Sequence, residues 1–168
     1  MTYLIPDVPL IPQTQNMACW YASAQMLIAW RRNRTRMTER SHPDPSEVPG
    51  LQSMFVANNG LPWVQTVQMA KLLGLKSVPP MTPGPAAISS WLSWYGPLWF
   101  QGLFPFGSSR SGHAVVITGI DATSLYINDP WPPNIGQRYT IPFGQFGDDL
   151  RPLQAGGELA PNLLYFDD

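Results

Sequence analysis

Cysteine, histidine and charged residues are all scarce in this chain. It has one cysteine and two histidines among 168 residues, and only 12% of its residues are charged, about half of the usual ~25%. A single cysteine excludes both an internal disulfide and a cysteine-rich zinc site. The two histidines also lack the spacing of a metalloprotease motif, so the chain offers few ligands for a catalytic zinc ion. We therefore expect no metal and no other cofactor.

Long apolar runs are also missing. No segment reaches the ~18 unbroken apolar residues that a membrane-spanning helix needs. The first residues also lack the basic and apolar regions of a Sec signal peptide. We therefore expect no membrane partner, and we expect a protein that is either cytoplasmic or secreted by a route that uses no signal peptide.

The charge balance gives little reason to expect nucleic-acid binding. The formal net charge is −1, and the one basic cluster falls at the end of a predicted helix, where cations interact favourably with the helix dipole. Aromatic residues are not interleaved with these arginines, as they are in a surface on which bases stack. We expect a solvated helix end and no nucleic-acid partner. The cluster comprises Arg31, Arg32, Arg34, Arg36 and Arg40.

The order of predicted elements favours the α+β class. Residues 1–15 contain three prolines, which keep them extended. Apolar spacing and Gly or Pro stops predict helices at about 19–32, 51–58, 62–73 and 86–95. Strands are predicted at 98–101, 113–119 and 124–129, and more weakly at 137–141 and 163–166. We expect one domain, 1–168, with a helical lobe at about 16–95 and a β lobe at about 97–168 that includes the extended N-terminal segment.

Cys19 lies where the first predicted helix begins, so backbone N–H groups and the helix dipole favour a negative charge on its sulfur. His113 follows much later, at the start of an apolar strand, and the polar pair Asn128 and Asp129 comes after it. A cysteine, a histidine and a carboxylate or amide are the parts of covalent acyl chemistry. Taken alone, the cysteine fits a small buried apolar side chain, and the histidine fits a core position. Together they favour a nucleophile and its base.

The third member of this set has two candidates, Asp129 and Asn128. Its task is to orient the imidazole and fix its tautomer. Neighbouring residues of a strand point to opposite faces, so only one of the two can face His113. Both also fit a simple turn, because Asn-Asp-Pro is a favourable turn sequence.

Three segments of the chain together resemble the papain-like cysteine peptidase superfamily, and most closely its small bacterial C39-like peptidases and C70 effector proteases. They are Pro9–Gln13 running into Cys19–Ala22, Gly112–Ile120, and Leu125–Pro130. The resemblance implies a papain-like fold, in which a helical lobe with the nucleophile helix adjoins an antiparallel β lobe. It also implies a cysteine endopeptidase that cleaves proteins or peptides through a thioester.

The resemblance also assigns roles to individual residues. Cys19 is the nucleophile and His113 the base. Asp129 orients the histidine, as in the C39-like and C70 branches, whereas Asn128 would mimic the asparagine of plant papains. Gln13 lies six positions before the cysteine, as does the family glutamine whose amide donates to the oxyanion hole. That role suits an amide, because the tetrahedral intermediate carries its charge on oxygen.

Aromatic residues close to these positions in the sequence are candidates for a substrate groove. Trp20 adjoins the nucleophile, Phe106 precedes His113, and Trp131 follows Asp129. We expect most of the other aromatic side chains, Trp63 and Trp94 among them, in the core. These assignments rest on proximity along the chain alone.

Alternatives remain open at this point. Small stand-alone members of the family are often secreted bacterial effectors or toxins, which implies a protein target and a cognate inhibitor or immunity protein. The same three side chains also serve acyltransferases, deamidases and transglutaminases. C39-like domains that lack the cysteine act as non-catalytic binding modules, but this chain has the cysteine.

Overall fold

The computed structural model describes residues 2–35, 42–79, 81, 83–149, 154–155, 158–159 and 162–167. Five α-helices lie in these ranges: α1 (Cys19–Thr35), α2 (Pro49–Ala57), α3 (Thr66–Leu73), α4 (Pro85–Tyr95) and α5 (Phe143–Asp149). Short 3-10 turns at Pro45–Glu47 and Trp63–Gln65 precede α2 and α3. The described part of the chain contains no helix that is both long and apolar enough to cross a membrane.

The main sheet is antiparallel, and most of its strands follow helix α4 in the sequence. Its strands are β1 (Tyr3–Leu4), β2 (Lys76–Ser77), β3 (Leu98–Phe106), β4 (Ser109–Ile120), β5 (Ser124–Asp129), β6 (Gln137–Pro142) and β9 (Leu163–Tyr165), of which β1 precedes α1 and β2 precedes α4. The order across the sheet is β2-β9-β3-β4-β5-β6, and β1 pairs with β4. A separate small pair joins β7 (Gln154–Ala155) and β8 (Glu158–Leu159). The predicted α+β class is confirmed.

Helix α1 packs against the centre of the sheet and fixes the position of its own N-terminus. Ser23 Oγ donates a hydrogen bond to the carbonyl of Ala114 on β4 at 3.0 Å. The indole of Trp99 on β3 donates to the carbonyl of Trp20 at 3.1 Å. Both bonds are buried, so breaking either of them would leave a buried donor unpaired, at a cost of about 1–3 kcal/mol. The start of α1 is thereby held beside β3 and β4.

The arginines at the end of α1 interact with their own chain. The described members, Arg31, Arg32 and Arg34, contact Phe166, Glu47 and Trp30, respectively. Arg36 and Arg40 lie outside the described residues. The described arginine side chains at this helix end therefore have partners within the protein.

The segment before His113 is part of the sheet, although it consists mostly of small and polar residues. It forms a long hairpin in which Phe106 on β3 pairs with Ser109 on β4. Gly107 occupies the turn with a φ of 61°, a conformation that two-residue hairpin turns require and that glycine adopts without strain. His113 is therefore held within a strand, opposite Gly102.

The extended N-terminal segment binds along the sheet and ends at Gln13. The amide of Ile5 donates to the carbonyl of Thr118 at 2.8 Å. The side chain of Asn128 donates to the carbonyls of Val8 at 3.3 Å and Pro9 at 3.1 Å. The backbone N–H of Gln13 then donates to the Pro130 carbonyl at 3.0 Å, just after β5.

Candidate active site

Cys19 is the first residue of α1 and lies half-buried at the wall of a cleft, which we call the main cleft. The N–H groups of the first helical turn have no partner within the helix, so they point toward any negative charge that forms there. The thiol lies close enough to the side chain of His113 to influence the pKa of the imidazole, and both residues line the cleft. The structure therefore brings together the two side chains that the sequence places almost a hundred residues apart.

His113 is buried and is held by two further kinds of contact. Its Nε2 donates to Oδ1 of Asp129 at 2.7 Å, which leaves Nδ1 as the nitrogen that serves the thiol. The rings of Phe104 and Phe106 lie edge-on to the imidazole, with centroids at 5.3 and 5.4 Å. The ring therefore has a fixed orientation between an acceptor on one side and the sulfur on the other.

The environment raises the pKa of His113. Burial is the largest influence and lowers the pKa, because it disfavours the charged ring. The hydrogen bonds to Asp129 and Cys19, and the negative charges of both partners, raise it more, and the net pKa is about 9 against an ordinary 6.5. The imidazolium is thus the stable form at neutral pH.

This shift can be measured on the imidazole itself. In an NMR titration, we expect His113 to lose its proton at about pH 9 and at a lower pH in Asp129→Asn, which removes the carboxylate charge. Since the folded-state pKa lies above the unfolded value, the stabilisation that His113 contributes is complete below about pH 6.5 and is lost as the pH rises through about 9. A wild-type midpoint near 6.5 would contradict this description of the site.

Asp129 is buried at the end of β5, and both of its carboxylate oxygens accept hydrogen bonds. Oδ1 accepts from His113 and from the backbone N–H of Trp131, the latter at 2.8 Å. Oδ2 accepts from the hydroxyl of Tyr139 on β6 at 2.9 Å. Asn128 binds the carbonyls of the N-terminal segment instead. Of the two sequence candidates, Asp129 is the residue that meets the histidine.

Tyr139 is a contributor to the site that sequence analysis missed. It is separated from Asp129 by a loop, and no local motif marks it. We expect Tyr139→Phe to lower the free energy of unfolding by about 1–3 kcal/mol, because a buried carboxylate oxygen loses its donor. Urea denaturation measures this loss.

Tyr126→Phe is the matched control for that measurement, since the Tyr126 hydroxyl donates to Asp121 at 3.1 Å in a solvent-accessible setting. We expect little change in that variant. Equal losses in the two variants would show that the Tyr139 bond has no special importance.

Gln13 is buried beside the start of α1, but its amide does not point freely toward the sulfur. Its Nε2 donates to the backbone carbonyls of Gln15 at 2.7 Å and Asn16 at 3.0 Å. Its Oε1 is buried without a hydrogen-bond partner. The side chain lines a smaller cavity on the other side of α1 and not the main cleft. Its role as an oxyanion donor therefore stays a prediction.

The main cleft has a volume of about 610 Å³ and separates the start of α1 and the loop before α3 from the β sheet. Trp20, Phe106 and Trp131, the predicted groove residues, all line it. The expectation that other aromatic side chains lie in the core was wrong at two positions. Trp63 also lines the cleft, and Trp94 is 70% exposed on α4.

The described residues of this cleft do not form a set of metal ligands. Within the described ranges, no three His, Cys, Asp or Glu side chains lie close enough together to hold an ion. The chemical content of the site is instead a thiol, a buried imidazolium and a fixed carboxylate, all next to a cleft of peptide size. Such a set can attack a carbonyl carbon and protonate the group that leaves it.

Comparisons with known proteins agree with this chemistry. Residues 4–147 match the family described as papain-like cysteine protease AvrRpt2. One solved structure, a double glycine motif protease from an AMS/PCAT transporter in complex with the leader peptide, is 18% identical, with 96% of this chain and 91% of that chain covered and a TM-score of 0.52. A C39-like peptidase from Bacillus anthracis is 16% identical, with 100% and 98% covered and a TM-score of 0.54. Among curated proteins there is no significant match.

Proposed function

The chain belongs to the AvrRpt2 family of papain-like cysteine proteases, and we propose that it is an endopeptidase that attacks peptide carbonyls through Cys19. Membership of this family makes the protein a cysteine peptidase and confirms the resemblance that the three sequence segments indicated. The observation that supports the assignment of the site best is the proximity of Cys19 to His113 at the cleft, together with the hydrogen bond between His113 and Asp129.

The reaction proceeds in two halves. The sulfur of Cys19 bonds to the peptide carbonyl carbon, and His113 gives a proton to the departing amine as the C–N bond breaks. This leaves a thioester on Cys19 and a neutral imidazole. Water then gives a proton to the imidazole as its oxygen attacks the thioester, which releases the carboxylic acid and restores the starting pair. Asp129 keeps Nε2 protonated throughout and orients the ring.

The oxyanion of each tetrahedral intermediate needs donors that are fixed in advance. The backbone N–H of Cys19, at the first turn of α1, is one such donor. We propose Gln13 as the second. To donate a hydrogen bond to the oxyanion, the Gln13 amide has to give up its bond to the carbonyl of either Gln15 or Asn16.

Alanine at position 13 tests this role. We expect Gln13→Ala to lower kcat by about 10²–10³, because one oxyanion donor is lost. Gln15→Ala is the matched control: it removes a neighbouring amide but keeps the Gln15 backbone carbonyl, and we expect less than about a tenfold change. Similar kcat values for Gln13→Ala and the wild type would exclude Gln13 from the oxyanion hole.

The kind of acyl acceptor is tested by mass spectrometry of proteins incubated with the enzyme. An endopeptidase produces new N- and C-termini. A deamidase would convert glutamine to glutamate, and a transglutaminase or other acyltransferase would leave a covalent product on its target. The solved neighbour that holds a leader peptide supports a peptide substrate for this chain as well. New termini are the expected result, and modified side chains without cleavage would overturn it.

We propose in addition that the enzyme is a secreted bacterial effector or toxin that is restrained by a cognate inhibitor. This proposal rests on family analogy. We expect wild-type enzyme produced inside target cells to harm them, and we expect the Cys19→Ala variant to be harmless.

We also propose a domain organisation: residues 1–168 form one papain-like unit, with a helical lobe at about 16–95 and the β lobe after it.

A further inference from the structure

We propose that a loop closes one side of the main cleft and has to move away before a polypeptide substrate can bind. The loop comprises residues 58–65, between α2 and α3, and we call it the Trp63 loop. This inference rests on the proposed endopeptidase function, because such an enzyme binds a chain that continues on both sides of the cleaved bond. It adds a conformational step that precedes the attack of Cys19.

The Trp63 loop contacts the opposite wall of the cleft through one side chain. The indole of Trp63 packs against Gly112 on β4, where an added Cβ would lie 2.5 Å from Cζ2 and 2.9 Å from Cη2 of the ring. Any side chain at this position would overlap the indole, so only glycine permits the packing. Both residues line the cleft together with Cys19 and His113. The two walls of the cleft therefore meet beside the His113 imidazole.

This contact leaves no room for a polypeptide chain at that point. A bound substrate has its cleaved carbonyl at the Cys19 sulfur, close to the His113 ring. Gly112 is the residue before His113, so their Cα atoms are about 3.8 Å apart. A chain that lies alongside a strand needs about 4.8 Å of separation from it, and the indole occupies that space. A substrate that continues toward Gly112 therefore has to displace the ring.

The way in which the loop is held allows such a movement. Its first part contains Asn58 at a φ of 52° and Gly60 at a φ of 75°, and a few loop residues commonly absorb the backbone rotation of a hinge. The N–H of Met17 donates to Oδ1 of Asn58 at 3.0 Å, and the Met17 side chain packs against Gly60. These contacts hold the hinge end of the loop to the segment before α1. The packing of Trp63 on Gly112 can be broken without separating a buried hydrogen-bonded pair.

Alkylation of Cys19 measures the opening without any need for cleavage, because the chain has one cysteine. Two reagents are compared: iodoacetamide, and a neutral decapeptide in which a central diaminopropionyl residue carries an iodoacetyl group. Iodoacetamide is small enough to react while the cleft is closed, whereas the decapeptide places a chain on both sides of the sulfur. In the wild type we expect the ratio of the decapeptide rate to the iodoacetamide rate to lie at least about tenfold below that of free cysteine.

Two variants open the cleft in different ways. Trp63→Ala removes the indole, and Gly112→Ala displaces it with a Cβ. We expect each variant to raise the rate ratio roughly 3- to 30-fold, and the iodoacetamide rate corrects for any change in the reactivity of the thiol itself. Trp94→Ala is the matched control, since this indole is 70% exposed on α4 and does not line the cleft, so its ratio should equal that of wild type. Thermal unfolding checks that each variant is folded.

The outcomes separate this inference from the peptidase function. If the wild-type ratio equals that of free cysteine, the loop does not close the cleft and the inference is wrong, whether or not the variants fold. It is also wrong if the ratio of a folded Trp63→Ala or Gly112→Ala protein equals that of wild type. If the ratios change as expected but no peptide or protein is cleaved, the closure is supported and the peptidase function is what fails.

Discussion

We expect the replacement of Cys19 with alanine to lower kcat/KM for peptide cleavage by about 10⁴–10⁶, to the limit of detection. This magnitude is the one found when the nucleophile of a hydrolytic triad is removed. The chain has no second cysteine to take over, and a protonated His113 cannot accept a proton from water. Initial rates on a cleavable peptide, with wild type at matched concentration, measure the loss.

The fold is expected to survive this substitution. Cys19 is half-buried and lies at the cleft wall, so alanine removes one sulfur atom from a partly solvated position. The far-UV spectrum should be unchanged, and the melting temperature should stay within a few degrees of wild type. A folded Cys19→Ala protein that still cleaves peptides at more than about a hundredth of the wild-type rate would refute thiol catalysis.

Removing Asp129 has the second largest effect, and it acts on stability as well as on activity. Asp129→Ala removes the acceptor of three donors: the buried His113 Nε2, and the partly buried Trp131 N–H and Tyr139 hydroxyl. We expect the free energy of unfolding to fall by about 3–5 kcal/mol. We also expect kcat to fall by about 10³–10⁴, because the ring loses its orientation and tautomer. Urea denaturation and steady-state kinetics give the two values.

Asn128→Ala is the matched comparison, since it truncates the adjacent polar residue of the same strand. The Asn128 amide holds the carbonyls of Val8 and Pro9. We therefore expect a loss of about 1–3 kcal/mol in stability with less than about a tenfold loss in kcat. If Asn128→Ala proves the more damaging to kcat, the third member of the site has been assigned to the wrong residue.

The parts of the structure that are determined by residues close together in the sequence could be predicted. Apolar spacing placed the start of α1 and both ends of α4 to within a residue, although α1 continues three residues beyond its predicted end, and β-branched runs placed the cores of β4 and β5. Helix α5 was missed because Gly144 and Gly147 lie within seven residues, and glycine is a poor helix former. The N-terminal half of β4 was missed because its small, polar residues resemble a loop until they pair with β3.

The residues of the candidate site likewise fall into those that the sequence predicts and those that only the folded structure reveals. The order of Cys19, His113 and Asp129 was informative because the chemistry constrains residue types. The donors and walls around them depend on contacts between distant parts of the chain. Tyr139 reaches Asp129 from the next strand, and Trp63 reaches Gly112 across the cleft. No local pattern marks such residues, so only the folded structure reveals them.

The account depends most on the reactivity of the Cys19 sulfur. At pH 6 a free thiol with a pKa of about 8.5 is almost fully protonated and reacts slowly with iodoacetamide. A sulfur paired with the His113 imidazolium should be alkylated at least about ten times faster than free cysteine at that pH, and His113→Gln should abolish the excess. A wild-type rate equal to that of free cysteine, or an excess that persists without His113, would contradict the account.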